Sequence, residues 1–500
     1  MTRSLQSRTV FAVEAVAARH SAAPGAWAWL VVASSGVVAA ALVPRGPVTG
    51  GAVIALLVGA AIVGAVSGLL IRTRWVLIAA PALHIALWEL SRATIFRLDG
   101  AAFGRPRFDV PLGVALFLTV HLMYALIVAM PMLIGVLGGR AWARRRGAAV
   151  AAGGVAFLAV MAAGVVLVWP SRVAPVRGVD GTTPAGSVAT LEAVRLGGTP
   201  QWVSMRGSSA ANPVLLHLSG GPGSSDVGWV RTFNQPLEQH FTVVVWEQRG
   251  GGKSYPALDP TSRLTPDQLV SDGIELSAWL AERFDERKIY LSGNSWGSTL
   301  GVLMVQRRPD LFHAYIGTGQ MVSQRETDRL LYRQLNAYAA RNGDERLRDE
   351  LAALGEPPYR DVFGYALVME YYDALEPYEH EPAFDEARGL RGFFPDEYSL
   401  LDTWNEVRGF ADMGGVLYPR LQGIDFRINV PVLEVPVYFA QGRHELTARG
   451  TLADEWIAQL RAPIKRTYVF QRSGHNPDAE EPGRFNRLLT DTVLAETYPR

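Results

Sequence analysis

The chain has no cysteine. That absence rules out disulfide staples, thiolate nucleophiles and Cys-ligated metal in one step. It leaves the compartment open, because many extracytoplasmic proteins also lack disulfides. A surplus of either charge is missing too: 48 Lys and Arg offset 47 Asp and Glu to a net charge of +1, so the chain offers no basic face to a nucleic-acid partner. No cluster of His and carboxylates has metal-ligand spacing, and "GGGKS" at 250–254 lacks the spacing of a phosphate-binding loop. No metal and no cofactor are expected.

Apolar residues are abundant, 49% overall, and they concentrate before about residue 170. Runs cover 26–43, 51–71, 110–139 and 148–169, each near or above the roughly 20 residues that cross a bilayer. A fifth, at 75–90, is shorter and carries His84 and Glu89. It spans if it continues through Phe96, with Arg92 one helical turn from Glu89 and able to pair with it. The spacing predicts an α-helical membrane region of four or five spans over 1–170, with the lipid bilayer as its partner. The first run is not read as a cleaved signal peptide, since further spans follow it. His84, Glu89 and His121 inside spans would suit an ion path, but the halves show no repeat, and a plain anchor is the expectation.

Arginine placement sets the orientation. Arg3, Arg8 and Arg19 precede the first run, Arg72 and Arg74 follow the second, and Arg140, Arg144, Arg145 and Arg146 precede the last. With these inside and five spans, everything after 170 lies extracytoplasmic, on an integral protein of the cell membrane. The loop carrying Arg92, Arg97, Arg105 and Arg107 disagrees, and four spans would reverse the side.

A Pro/Gly/Ser-rich linker over 171–186 ends the apolar region. After it, short apolar runs at 213–218, 241–247, 288–293, 313–319 and 435–442 suit buried strands of a mostly parallel sheet. Thr265 is placed to cap a helix between the second and third. The interval 320–430 is too long for a loop and reads as an inserted helical cap, which splits the sheet-bearing core into 187–319 and 431–500.

"GNSWG", residues 293–297, matches G-x-S-x-G between a predicted strand and a predicted helix. Glycines two residues either side of Ser295 allow the sharp turn that exposes a nucleophilic Oγ. Alone, the five-residue motif also fits a polar Gly/Ser turn with no catalytic role. A nucleophilic Ser needs a base and an orienting acid. His475 follows a strand-like run in "YVFQRSGHNP", while His313 opens a strand, His380 sits in an acidic loop and His444 neighbours the candidate acid. Glu445 lies after an apolar strand, between Ser and His in chain order. "SGGPG" at 219–223 offers Gly220, Gly221 and Gly223 around Pro222, which can aim a backbone N–H inward, and the residue after the nucleophile offers the Trp296 N–H as the second oxyanion donor.

These motifs resemble the proline iminopeptidase (prolyl aminopeptidase) group of the α/β-hydrolase superfamily over about 187–497. The HGGPG loop of that family stands as "SGGPG", its DQRGxGxS loop as "EQRGGGKS" at 247–254, and its GGSWGS elbow as "SGNSWGS" at 292–298. The resemblance implies Ser295 as nucleophile, His475 as base, and Gly221 with Trp296 at the oxyanion hole. The chain departs from the pattern in Ser219 for His, Glu247 for Asp, and Glu445 where the family has Asp. The membrane region is outside the family pattern.

Substrate is less determined. The interval 320–430 holds 21 Asp and Glu against 12 Lys and Arg. An aminopeptidase needs carboxylates for the free ammonium, for which Glu326, Glu370 and Glu406 are candidates, and an apolar slot, for which Trp404 and Tyr371 are candidates. A membrane-anchored aminopeptidase acting on peptides, an esterase or amidase of small acyl compounds, and a non-catalytic sensor that keeps the fold all remain open.

Overall fold

The computed structural model describes residues 25–94, 111–169, 172–178, 180–258, 264–359, 363–382, 384, 389 and 392–499. Arg3, Arg8, Arg19, Phe96, Arg97, Arg105 and Arg107 lie outside them. The chain divides into two compact units, Met1–Leu98 with Phe117–Trp169 and Asp99–Leu116 with Pro170–Arg500.

Five helices, all in the first unit but for the opening residues of the fourth, are long and apolar enough to cross a membrane: Gly25–Leu42, Gly50–Leu70, Val76–Thr94, Gly113–Ala143 and Gly147–Leu167. The second and fourth meet backbone to backbone. A Cβ on Gly64 or Gly68 would strike the carbonyls of Met132 and Val136, and one on Gly135 or Gly139 those of Ala61 and Ala65. Reciprocal Gly-x-x-x-Gly pairs permit such approach where no hydrophobic effect drives helices together. The short third run does form a helix, in which His84, Ser91 and Arg92 are buried and Glu89 is half-buried. Arg92 reaches Glu89 at 3.3 Å, one turn away as expected, and Glu89 meets His121 at 2.5 Å. His84 bridges Ser35 at 2.8 Å and Tyr124 at 3.0 Å. Arg140 donates to the carbonyl of Thr73 at 2.8 Å, so Arg72 and Arg74 share one end of the bundle with the Arg140–Arg146 turn. The last helix ends elsewhere, with Val168 packed on Gly50 at the start of the second helix.

The second unit is built on one eight-stranded sheet of order β1-β2-β4-β3-β5-β6-β7-β8. Its strands are β1 (Val188–Leu196), β2 (Thr199–Gly207), β3 (Val214–Leu218), β4 (Thr242–Trp246), β5 (Ile289–Asn294), β6 (Phe312–Thr318), β7 (Val437–Gly442) and β8 (Lys465–Phe470). All pairs from β4 through β8 are parallel. The β1–β2 and β2–β4 pairs are antiparallel. Every residue of β3, β4 and β5 is buried, the pattern expected of central strands covered on both faces. One face packs Leu215, Tyr290 and Ile316 against Val227, Phe485 and Leu489. Trp246 and Met304 instead both lie against Gly273, which joins β4 to the helices Pro266–Arg283 and Trp296–Arg307. Thr265 caps the former, its side chain accepting from Gln268 N.

Between β6 and β7 the chain makes its helical excursion, with Gln324–Asn342, Glu345–Leu354 and Leu400–Leu421 as the longer pieces. The strand–loop junctions at Leu218, Trp246, Asn294, Thr318, Gly442 and Phe470 all lie at the carboxyl edge of the parallel strands, where ligands bind in such sheets.

Candidate active site

Ser295 turns from β5 into the Trp296–Arg307 helix with φ 53° and ψ −119°. Non-glycine residues enter that region only when their surroundings hold them there. Several contacts do so. A Cβ on Gly293 would strike the carbonyl of Gly297, and one on Gly297 the carbonyl of Leu218. Ser295 N–H donates to Thr318 O at 3.1 Å. The second serine of the motif, Ser298, donates to Ser295 O at 2.6 Å and accepts from Met321 N at 2.9 Å.

His475 is brought to this elbow through its neighbours. Asn294 Nδ2 donates to His475 O at 3.4 Å, and a Cβ on Gly319, just past β6, would lie 3.0 Å from His475 Nδ1. The Nδ1–H of His475 faces Glu445 Oε2 at 2.5 Å. Glu445 Oε1 accepts from Leu446 N at 2.9 Å and from Arg449 at 3.4 Å. Burial alone would raise this carboxyl, but His475 and then Arg449 outweigh it and hold it down to about 2. It stays ionised and fixes one tautomer of His475. Arg449 also donates to Tyr365 OH at 2.6 Å, tying the acid to the excursion.

The 219–223 loop follows β3 and lies over the elbow. A Cβ on Gly220 would fall 3.4 Å from Ser295 Cβ. Gly221 holds φ 108°. Trp296 is the first residue of its helix, a position whose N–H has no acceptor in its own helix. Behind the loop, Asp226 Oδ2 accepts from Gly220 N at 3.3 Å and from His217 Nε2 at 2.9 Å. His217 Nδ1 meets Ser292 Oγ at 3.0 Å. Burial would push His217 down, yet the Asp226 contact prevails and raises it.

Two residues of the "EQRGGGKS" loop take part that the sequence did not single out. Gln248 accepts from the Trp296 indole at 2.8 Å and donates to Ser219 O at 3.1 Å, joining the 219–223 loop to the start of the helix after Ser295. Arg249 fastens the loop through a buried pair with Asp272 at 2.9 Å. The signal was present in the motif itself, but glutamine carries no charge that would mark it out.

The five cap candidates separate. Glu406 is buried, with Oε1 accepting from Ser225 N at 3.4 Å. Burial, and then the nearby Glu247, raise it to about 9. Glu247 is also buried, bonded to Tyr398, to Ser225 Oγ at 3.1 Å and to Lys253 N at 3.0 Å, and burial raises it to about 7. Trp404 is buried beneath the Arg408 guanidinium, 4.1 Å from its ring centre. Glu326 pairs with Arg329 at 3.0 Å and Glu370 with Arg346 at 2.9 Å. Tyr371 donates to Asp344 at 3.1 Å. These three are engaged with residues of the cap helices, not with the triad. His444 stacks on Tyr378 and His313 leans on Tyr290. Among the described residues no group of three His, Asp or Glu could hold a metal ion.

Comparison with known proteins adds family context. The alpha/beta hydrolase fold family matches residues 213–482. The chain is 30% identical over 307 residues to the probable aminopeptidase YbaC of Bacillus subtilis (strain 168), covering 61% of this chain and 96% of that one. It is 34% identical over 315 residues to a probable proline iminopeptidase of Leptolyngbya boryana, covering 58% and 89%. The crystal structure of a proline iminopeptidase from Mycobacterium smegmatis is 20% identical, covers 62% of this chain and 99% of its own, and has a TM-score of 0.44.

Proposed function

Since this chain belongs to the α/β-hydrolase family, we propose that it is a membrane-anchored serine hydrolase, and most specifically an aminopeptidase that releases N-terminal residues through an acyl-enzyme on Ser295. The observation that carries the reading is the strained elbow at Ser295 beside a His475–Glu445 pair at 2.5 Å. Ser295 Oγ attacks the carbonyl carbon while His475 Nε2 takes its proton. The N–H groups of Gly221 and Trp296 receive the developing oxyanion. Collapse expels the amine, which takes the proton back from His475. A water, activated by the same imidazole, then releases the acid and restores the serine.

The aminopeptidase reading draws on Glu406 and Glu247. Two buried carboxylates flank Ser225 beside the oxyanion loop. An arriving ammonium would lower both and expel a proton. The relatives in Bacillus and Leptolyngbya carry aminopeptidase and proline iminopeptidase names, which favours peptides over other amides and esters.

Five helices of spanning length support the anchor. The shared end of Arg72, Arg74 and Arg140 would face the cytoplasm, and the last helix would then deliver the hydrolase outside. Protease accessibility in intact cells tests that side. Activity is tested with aminoacyl arylamides and p-nitrophenyl esters on Ser295→Ala. Full turnover by the variant would sink the serine mechanism. Ester cleavage with no response to a free α-amine would replace the aminopeptidase by an esterase. Failure of a fluorophosphonate to label folded protein would favour a sensor.

A further inference from the structure

The outward face of the Leu400–Leu421 helix does not suit water. In its first eleven residues the exposed positions are Leu400, Val407 and Phe410, all apolar, and a helical period places them on one side. Phe393 and Phe394 just before it are exposed as well, Phe394 at 63%. Exposed aromatic and aliphatic residues of this kind, with no charge among the exposed positions of those eleven helix residues, mark a contact surface.

What covers it is indicated by the chain itself. The loop bearing Phe393 and Phe394 is bonded to the start of the linker, where Arg172 N–H donates to Asp396 O at 3.0 Å. Arg172 follows the end of the last apolar helix, Leu167, by five residues. That length of chain reaches at most about 18 Å. The headgroup layer beyond the hydrocarbon is itself about 5–8 Å deep. If the apolar helices span a bilayer, the Phe393–Phe394 loop is leashed to the interface. Exposed Arg172 is suited to anionic headgroups there, as exposed Trp169 is to the aromatic belt.

We infer that Phe393, Phe394, Leu400, Val407 and Phe410 form a lipid-contact face that seats the cap on the bilayer surface. The inference rests on the membrane-anchored reading. The opposite side of the same helix touches the oxyanion loop, where a Cβ on Gly223 would meet Gly409 and Met413. One helix therefore couples lipid to the active-site loop, and substrates whose acyl portion partitions into the interface would be favoured.

Because the chain has no native cysteine, single-cysteine variants of the full protein can carry one nitroxide each. Phe394→Cys, Val407→Cys and Phe410→Cys are compared in phosphatidylcholine–phosphatidylglycerol vesicles with Arg348→Cys, an exposed site on the Glu345–Leu354 helix, and Leu158→Cys in the last apolar helix. The ratio of oxygen to nickel-chelate accessibility is expected to be several-fold higher at 394, 407 and 410 than at 348, approaching that at 158. Values at the three sites equal to that at 348, with 158 in lipid, would overturn the lipid face and leave the anchor standing. An aqueous 158 would overturn both. Spin–spin broadening that disappears on dilution with unlabelled protein would assign the face to a second copy instead.

Discussion

Gln248 accepts a 2.8 Å hydrogen bond from the indole of Trp296. Its other end holds Ser219 O, so one side chain spaces the two donors that the mechanism assigns to the oxyanion. Gln248→Met keeps the volume and removes both bonds. Since loss of a whole oxyanion donor costs about 10²–10³ in kcat, loss of its positioning is expected to cost about 10–10². KM should move little. Steady-state kinetics on an arylamide substrate checks the split, and a change confined to KM would refute the role.

Glu445 is held down to about 2 against an ordinary 4.5 by His475 and Arg449 acting against burial. A depressed folded-state value contributes stability that is fully present above the ordinary value and lost as pH falls from about 4.5 toward about 2. Glu445→Gln should therefore flatten the acid branch of the stability profile, measured by thermal unfolding between pH 2 and 6. It should also lower kcat by about 10⁴ through the wrong His475 tautomer.

Glu406 carries the opposite sign. Burial and Glu247 raise it to about 9, so the folded chain holds a proton that the unfolded chain releases. Its contribution is fully present below about 4.5 and is lost as pH rises toward about 9. Glu406→Gln retains the shape without the titration. The variant should match the parent near pH 5 and exceed it in melting temperature near pH 8.5, with weaker binding of free-amine substrates.

Gly64 and Gly135 let two apolar helices touch backbone to backbone. Gly64→Leu or Gly135→Leu must separate them. Either should lower the detergent-unfolding midpoint of the membrane unit, while Gly59→Leu, which meets nothing within 4 Å, should not.

The central strands β3 to β7 were legible because full burial writes an unbroken apolar run. The β1–β2 hairpin was not. It lies at the sheet edge, its strands mix Thr, Glu and Arg with apolar residues, and Pro200 stands inside β2. Its Gly197–Gly198 turn, at φ 52° and 81°, was the available signal. The exposed edge strand β8 showed only as a strand-like run. At the site, Ser295, Glu445 and His475 stood out because a serine, an acid and a histidine of the types a serine hydrolase would need occur in the chain order that the family pattern expects. Gln248 and His217 act through other residues, and their roles depend on contacts between β3, β4 and β5 that no local pattern encodes. Glu326 and Glu370 were named for their charge, but charge alone does not distinguish a carboxylate facing Ser225 from one neutralised by a neighbouring arginine.

The helical excursion leaves the sheet after Thr318 and returns at Val437, and the two strands it interrupts are neighbours, with Thr318 opposite Ala440. The chain thus leaves and re-enters the sheet one strand spacing apart, and a change in the length of the insert need not alter the strand register. The insert residues that touch the core, Tyr365, Tyr398, Glu406 and Gly409 among them, are the ones whose exchange would be felt there. In the proposed hydrolase, bond-breaking residues on the sheet edge and a substrate-facing insert would lie on separable stretches of one chain, so most of the insert could change while its few core contacts are kept.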